Sequence, residues 1–179
     1  SCRVPKRRPT CQGSSEKELR RCEQAVLPEL GMSALQTIKP MTPAALDAVY
    51  RLEDEILKLP QIDMETHHVI HGGMYARTIT VPAGVVTTGA LIKKATILIV
   101  TGDALVTIGD DCVELNGHNV VPASAGRKQG LYALTDTTVT MIFATDATTV
   151  AECEEEFTDE ADRLASRHCA NSVMITGEH

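Results

Sequence analysis

The sequence predicts a mainly β protein: one small jelly roll or antiparallel β-barrel, with a helical arm before it and a helix after it. Three observations carry that expectation. Residues 74–144 are a succession of short apolar runs rich in Val, Ile and Thr, the residues that fit a pleated, half-buried surface. Turn residues interrupt the runs about every 8–12 positions, as at Gly102-Asp103, Gly109-Asp110-Asp111 and Asn116-Gly117. No helical periodicity separates one run from the next, which argues against strand–helix–strand units. At 179 residues the chain has room for one domain and an arm.

The arm is expected over 1–41. Its first fifteen residues hold two Pro, a Gly and the basic cluster Lys6, Arg7, Arg8, and read as a flexible tail. Ser15 with Glu18 matches a capping box for a short helix over 16–27, and Pro28 and Gly31 end it. Residues 32–41 read as a linker, and Met32-Ser33 as an ordinary protein start with the preceding residues as an extension. Residues 42–66 hold a second helix, opened by Thr42 and Pro43 and stopped by Pro60. Leu46, Val49, Tyr50, Leu52 or Glu53, Ile56 and Leu57 give it an apolar face for the barrel or for a neighbouring subunit.

The barrel is expected over 67–145. Residues 61–73 hold three of the six histidines. In a strand His67 and His71 share one face, while His68 faces the other way with Ile70. Two histidines four residues apart on a strand lie about 13 Å apart and do not share a metal without a bend. The strands that follow are expected at Met74–Thr80, Val85–Ile92, Thr96–Thr101, Ala104–Ile108, Cys112–Leu115, His118–Val121, Lys128–Leu134 and Thr137–Ala144. Asn116-Gly117 signals a hairpin, and the two-sided run TVTMIF at 138–143 suits a central strand. Residues 146–179 hold the C-terminal helix, expected over 149–168. It is capped by Thr148 or Thr149 and buries Val150, Cys153, Phe157, Ala161 and Leu164. Its acidic first half reads as a solvated face and its basic end suits the helix dipole. The last residues read as loose.

Composition narrows function. A net charge of −7 argues against general nucleic-acid binding. No run approaches the roughly 18 apolar residues of a membrane helix, and no apolar segment of a secretory signal follows the basic N-terminus. The six cysteines form no CxxC pair and match no zinc template. They read as free thiols, with disulfides among Cys2, Cys11 and Cys22 left open.

Two blocks carry a resemblance: VPAGVVTTGALIKKATILIVTGDALVTIGDD at 81–111 and GHNVVPASAGRKQGLYA at 117–133. They resemble the paired motifs of the cupins, more narrowly the small cupin-like (RmlC-type jelly-roll) proteins of tailed bacteriophages and prophages. The matching residues are Pro82-Ala83-Gly84, Thr88-Gly89, Gly102-Asp103 and Pro122-Ala123. They cover less than half of the chain and speak to fold more than to activity. The resemblance implies a site where two His, a Glu and a later His hold Fe, Mn, Ni or Zn. This chain departs from it. Residues 89–98 contain no His, Glu, Asp or Cys, and Ile92, Lys93, Lys94 and Thr96 stand where the family has its ligands. Residues 125–129 lack the later His and offer Arg127 and Lys128 instead. The expectation is a barrel with no catalytic residues, no metal and no cofactor. The fallback metal ligands are His71, His118 and Glu114.

Three functions follow. The first is a non-enzymatic structural or assembly protein, phage-encoded, a capsid or tail component of a virion. It would be made in the cytoplasm of a bacterial host, self-associate through its flanking helices, and reach other virion or phage proteins through residues 1–41. No membrane or general nucleic-acid partner is expected. The second is a metal-dependent cupin enzyme with unusual ligands. The third is a binding module for a small anion, with Lys93, Lys94, Arg127, Lys128 and Tyr132 lining a basic pocket.

Overall fold

The computed structural model describes residues 37–108 and 111–177. Most of the arm expected over 1–41 lies outside these residues, including the helix at 16–27, the basic cluster, and Cys2, Cys11 and Cys22.

Helix α1 spans Pro43–Ile56. The Thr42 side chain accepts the Ala45 N–H at 3.2 Å, and Pro43 occupies the first turn, where its missing donor costs nothing. Ten strands follow or flank it: β1 (Thr66–His71), β2 (Met74–Val81), β3 (Val86–Thr88), β4 (Thr96–Thr101), β5 (Ala104–Ile108), β6 (Asp111–Leu115), β7 (His118–Ala123), β8 (Gly130–Ala133), β9 (Thr137–Ala144) and β10 (Asn171–Ile175). Helix α2 spans Val150–Phe157. The strands form a six-stranded sheet in the order β10-β1-β2-β9-β4-β7 and a four-stranded sheet in the order β3-β8-β5-β6. Every ladder is antiparallel except β1 with β10. The chain is mainly β, as expected, and β9, which contains the TVTMIF run, is central.

The sheets face each other as a sandwich and do not close into the expected barrel. The run expected as one strand over 85–92 pairs only at Val86–Thr88. Gly89 N–H then donates to Gln129 O at 2.8 Å, and Ile92 keeps a single bridge to Arg127. The strand that would seal one side is thus too short. Asn116-Gly117 is not a hairpin turn either. Strands β6 and β7 belong to different sheets, and Gly117, at φ +68°, carries the chain across the sandwich. Gly102, at φ +125°, sits at another crossing, from β4 to β5. A Cβ there would sit 2.7 Å from Asp136 O and from Thr137 Oγ1.

Alternation sets the core. In β1, Thr66, His68 and Ile70 point inward and His67, Val69 and His71 outward, as the alternation requires. The largest core cluster contains Ile70, Tyr75, Leu98, Met141, Phe143 and Phe157. Its aromatic rings meet edge to face, Tyr75–Phe143 at 5.3 Å and Phe143–Phe157 at 6.0 Å between centroids. Val100, Ala104, Val106 and Leu115 form a second cluster where both sheets meet.

The C-terminal region differs most from expectation. The helix expected over 149–168 stops at Phe157, because Thr158 turns extended and its hydroxyl donates to Leu91 O at 2.8 Å. Two short 3-10 turns, Ala161–Arg163 and Ala165–Arg167, replace the rest. The expected stripe still packs inward: Cys153, Phe157 and Leu164 are buried, with Val150 and Ala161 against them. The acidic run is not a solvated face throughout. Glu154 is buried, with its carboxylate held by Ser166 Oγ and by Arg167 Nε at 2.5 Å. The residues expected to be loose form β10, parallel to β1 at the edge of the larger sheet. Cys112, Cys153 and Cys169 are free thiols.

Candidate functional site

The segment between β7 and β8 places the two central cations. Met41 N–H donates to Gly126 O at 2.8 Å, pinning the segment under the start of α1. Lys128 is 1% exposed. Its Nζ lies 3.2 Å from Glu53 Oε1 on α1 and 3.2 Å from Glu160 Oε2 in the loop after α2. The ammonium also sits 4.6 Å from the centre of the Tyr50 ring. Arg163 completes the group, 3.2 Å from Glu53 Oε2 and 3.5 Å from Glu160 Oε1. Two carboxylates and two cations therefore neutralise one another. Burial alone would raise the Glu160 pKa, but the Leu91 N–H, the Tyr50 hydroxyl and Lys128 outweigh it and hold the carboxyl below its ordinary range. Burial, followed by the hydrogen bond to Glu160, pushes the Tyr50 hydroxyl up to about 12.

Arg127 is buried without a carboxylate among the described residues. Its Nη1 donates to the carbonyls of Ser124, Lys94 and Ala123, and its Nη2 to Thr96 Oγ1 at 2.6 Å. Its Nε has no partner. Burial lowers its pKa to about 10. Arg77, on the inner face of β2, is a fourth cation, which sequence analysis did not single out. Its Nη2 donates to Ser166 Oγ at 3.2 Å and its Nε likewise has no partner.

These groups border a cavity of about 200 Å³ between the sheets. Arg77, Arg127, Lys128 and Arg163 line it together with Glu53 and Glu160, and Ile79, Leu98, Met141 and Phe157 form apolar wall. A second cavity of about 120 Å³, lined by Val81, Val106, Leu131 and other apolar residues, shares Thr87, Gly89 and Val139 with the first.

Of the five residues expected to bind an anion, only Arg127 and Lys128 reach this cavity. Lys93 is exposed and pairs with Asp159. Lys94 pairs with Glu156, donates to Ala144 O at 2.7 Å, and lies 4.7 Å from the Phe143 ring centre. Tyr132 is on the exposed side of β8. The fallback metal ligands do not converge. His71 on β1 and His118 on β7 are four ladders apart, about 19 Å across the sheet alone, and sit in rows at opposite ends of the strands. They hydrogen-bond instead to Thr176 and Thr101. Glu114 is in the other sheet. Among the described residues no three His, Cys, Asp or Glu side chains are grouped to hold a metal ion.

The outer face of the six-stranded sheet is a second feature. One row crosses all six strands: Met174, Val69, Ala76, Ile142, Ile97 and Pro122. The next row is Ser172, His67, Thr78, Thr140, Ile99 and Val120, and Thr80, Thr138, Thr101 and His118 follow. None of these paired rows contains Asp, Glu, Lys or Arg. Val69, Met74, Ile97, Val120 and Met174 are exposed. The apolar stripes of the helices are used within the chain only in part, since Leu52 and Leu57 toward the end of α1 are exposed. Ala45 and Val49 of α1 are buried with Met41, and Cys153 and Phe157 of α2 are in the main core.

No protein-family model and no curated protein sequence matches the chain. Solved structures similar to it include cupin and RmlC-like proteins. They include KdgF from Halomonas sp., at 19% identity over 44% of this chain and 76% of that one, with a TM-score of 0.36. A cupin-2 domain protein from Shewanella frigidimarina is 12% identical over 52% of this chain and 91% of that one, with a TM-score of 0.37. A cupin superfamily protein from Desulfitobacterium hafniense is 13% identical over 63% of this chain and 98% of that one, with a TM-score of 0.39. No helix among the described residues is long and apolar enough to cross a membrane.

Proposed function

We propose that this protein is a non-enzymatic assembly module that packs against a second copy of itself through the outer face of its six-stranded sheet. The observation that carries this reading is the uncharged surface formed by the rows through Ile142 and Thr140. Six strands spaced by about 4.8 Å, each about six residues long, make a patch of roughly 29 by 20 Å. That footprint, about 600 Å², approaches the roughly 800 Å² per partner of a stable interface. The whole chain carries a net charge of −7, so two copies repel over much of their surface. A face whose paired rows hold no Asp, Glu, Lys or Arg, with Glu65 only at its border beside His67, is where they approach at least electrostatic cost. A twofold axis through its centre sets the same rows against each other, as in the common closed dimer. The finer reading, a structural component of a bacteriophage particle with residues 1–41 reaching other particle proteins, rests on the sequence resemblance.

Sedimentation equilibrium tests the module. The expected result is a dimer at tens of micromolar, converted to monomer by Ile142→Lys or Val69→Lys with unchanged circular dichroism. A wild-type monomer at 100 µM, or a dimer that both lysine variants leave intact, overturns the reading.

A further inference from the structure

We propose that the cavity between the sheets is a binding site for a small organic monoanion, a carboxylate on a short apolar tail, with Arg77 holding the head group. The inference is independent of the outer-face assembly. The cavity lining holds four cations, Arg77, Arg127, Lys128 and Arg163, against two carboxylates, Glu53 and Glu160. Both carboxylates are already engaged by Lys128 and Arg163. The positive charge left over belongs to the two arginines, in a chain whose net charge is −7. Neither arginine has an ion-pair partner among the described residues, and each has a buried Nε without a hydrogen-bond partner. A buried donor left unpaired is costly, so two on the lining of one cavity point to an acceptor that belongs there.

The two arginines have different parts. Arg127 is tied through both terminal nitrogens to backbone carbonyls and to Thr96, so it supplies fixed charge. Arg77 keeps one side-chain bond, to Ser166 Oγ. The nearby carboxylate of Glu154 is held by Ser166 and Arg167. Burial lowers the pKa of Arg77, with Tyr75 and then Glu154 only partly offsetting it. Its place on β2, in one row with Met141 and Leu98, puts it on the inner face of the larger sheet, facing the cavity that Ile92 also lines.

The apolar wall sets the rest of the ligand. Ile79, Leu98, Met141 and Phe157 surround the charged lining, and the adjoining lobe beside Val106 and Leu131 is almost wholly apolar. Such a chamber takes a short hydrocarbon tail and penalises a second ionised group, which would be desolvated without a partner. An inorganic dianion does not fit that description, and a neutral alcohol leaves the arginines unanswered.

Titration calorimetry and thermal melting of the full chain with octanoate, 1-octanol and inorganic phosphate test the site. Octanoate is expected to bind one per chain and raise the melting temperature, with 1-octanol and phosphate at least tenfold weaker. Arg77→Met should weaken octanoate at least tenfold while leaving the dimer unchanged, and Arg77→Lys should recover part of the loss. Leu131→Trp, which fills the apolar lobe, should also weaken octanoate and keeps the test open if Arg77→Met does not fold. No octanoate binding at millimolar concentration, equal binding of 1-octanol or phosphate, or unchanged affinity in folded Arg77→Met or Leu131→Trp overturns the proposal.

Discussion

Replacing Lys128 with Met should be the most damaging single charge change in the described fold. The ammonium is 1% exposed, and its two carboxylate partners are 15% and 17% exposed at the side chain. Removing one member of a buried ion pair typically costs about 3–5 kcal/mol, because the partner is left uncompensated. Here two effects oppose each other. Two carboxylates lose a shared cation, and the contact with the Tyr50 ring goes too. But Arg163 still pairs with both carboxylates from the solvent side. The net expectation is the lower part of the range, about 3 kcal/mol, and a fall in melting temperature of roughly 6–12 °C at the 2–4 °C per kcal/mol usual for a chain of this size. Urea unfolding followed by circular dichroism reads the loss. Adding Glu160→Gln should recover about half of it, since one uncompensated charge is removed. Lys93→Met, at the exposed pair with Asp159, should cost under about 1 kcal/mol. A loss below about 1 kcal/mol for Lys128→Met, or no recovery in the double variant, would refute the buried cluster.

Three further outcomes follow from local structure. Burial lowers the His68 pKa below its ordinary 6.5. The unfolded chain therefore takes up this proton before the folded one does, and stability present above about pH 6.5 should decline as pH falls toward 5. His68→Gln should flatten that part of a urea stability–pH profile. Gly102→Ala forces a side chain into a backbone conformation with φ at +125° and a Cβ 2.7 Å from Asp136 O. It should cost more than about 2 kcal/mol by chemical denaturation. Thr149 and Glu152 cap α2 reciprocally, so Thr149→Ala should cost about 1 kcal/mol, and an unchanged denaturation midpoint would show the cap to be dispensable.

The strand pattern was legible wherever one face is buried. The alternation His68-in, His67-out was readable because only one face of β1 meets the core. The same reasoning on β2 places Arg77 with Tyr75 and Ile79 on the inner face, and that signal could have identified it. What could not be read were groupings made by distant segments. Lys128 looks like a surface cation until Glu53 and Glu160, 75 and 32 residues away in sequence, close over it. The parallel pairing of β10 with β1 joins residues about a hundred positions apart, and five residues at the chain's end carry no local mark of it. The Asn116-Gly117 turn was placed correctly, but a turn signal does not say whether its strands share a sheet. The end of α2 at Phe157 was hidden for the same reason. Its stripe continues through Leu164, and only the Thr158 bond to Leu91 shows where the helix stops.

If the chain assembles as proposed, the outer sheet face is covered in solution. Ile97, in its central apolar row, and Ile62, in the linker before β1, are each 46% exposed in the isolated chain. That match makes them an internal comparison. Methyl NMR of isoleucine-labelled protein with a soluble paramagnetic agent measures the access of each. Shielding of Ile97 and Ile142 at high protein concentration, lost on dilution while Ile62 stays accessible, is the predicted result. Equal broadening of Ile97 and Ile62 at every concentration would contradict it.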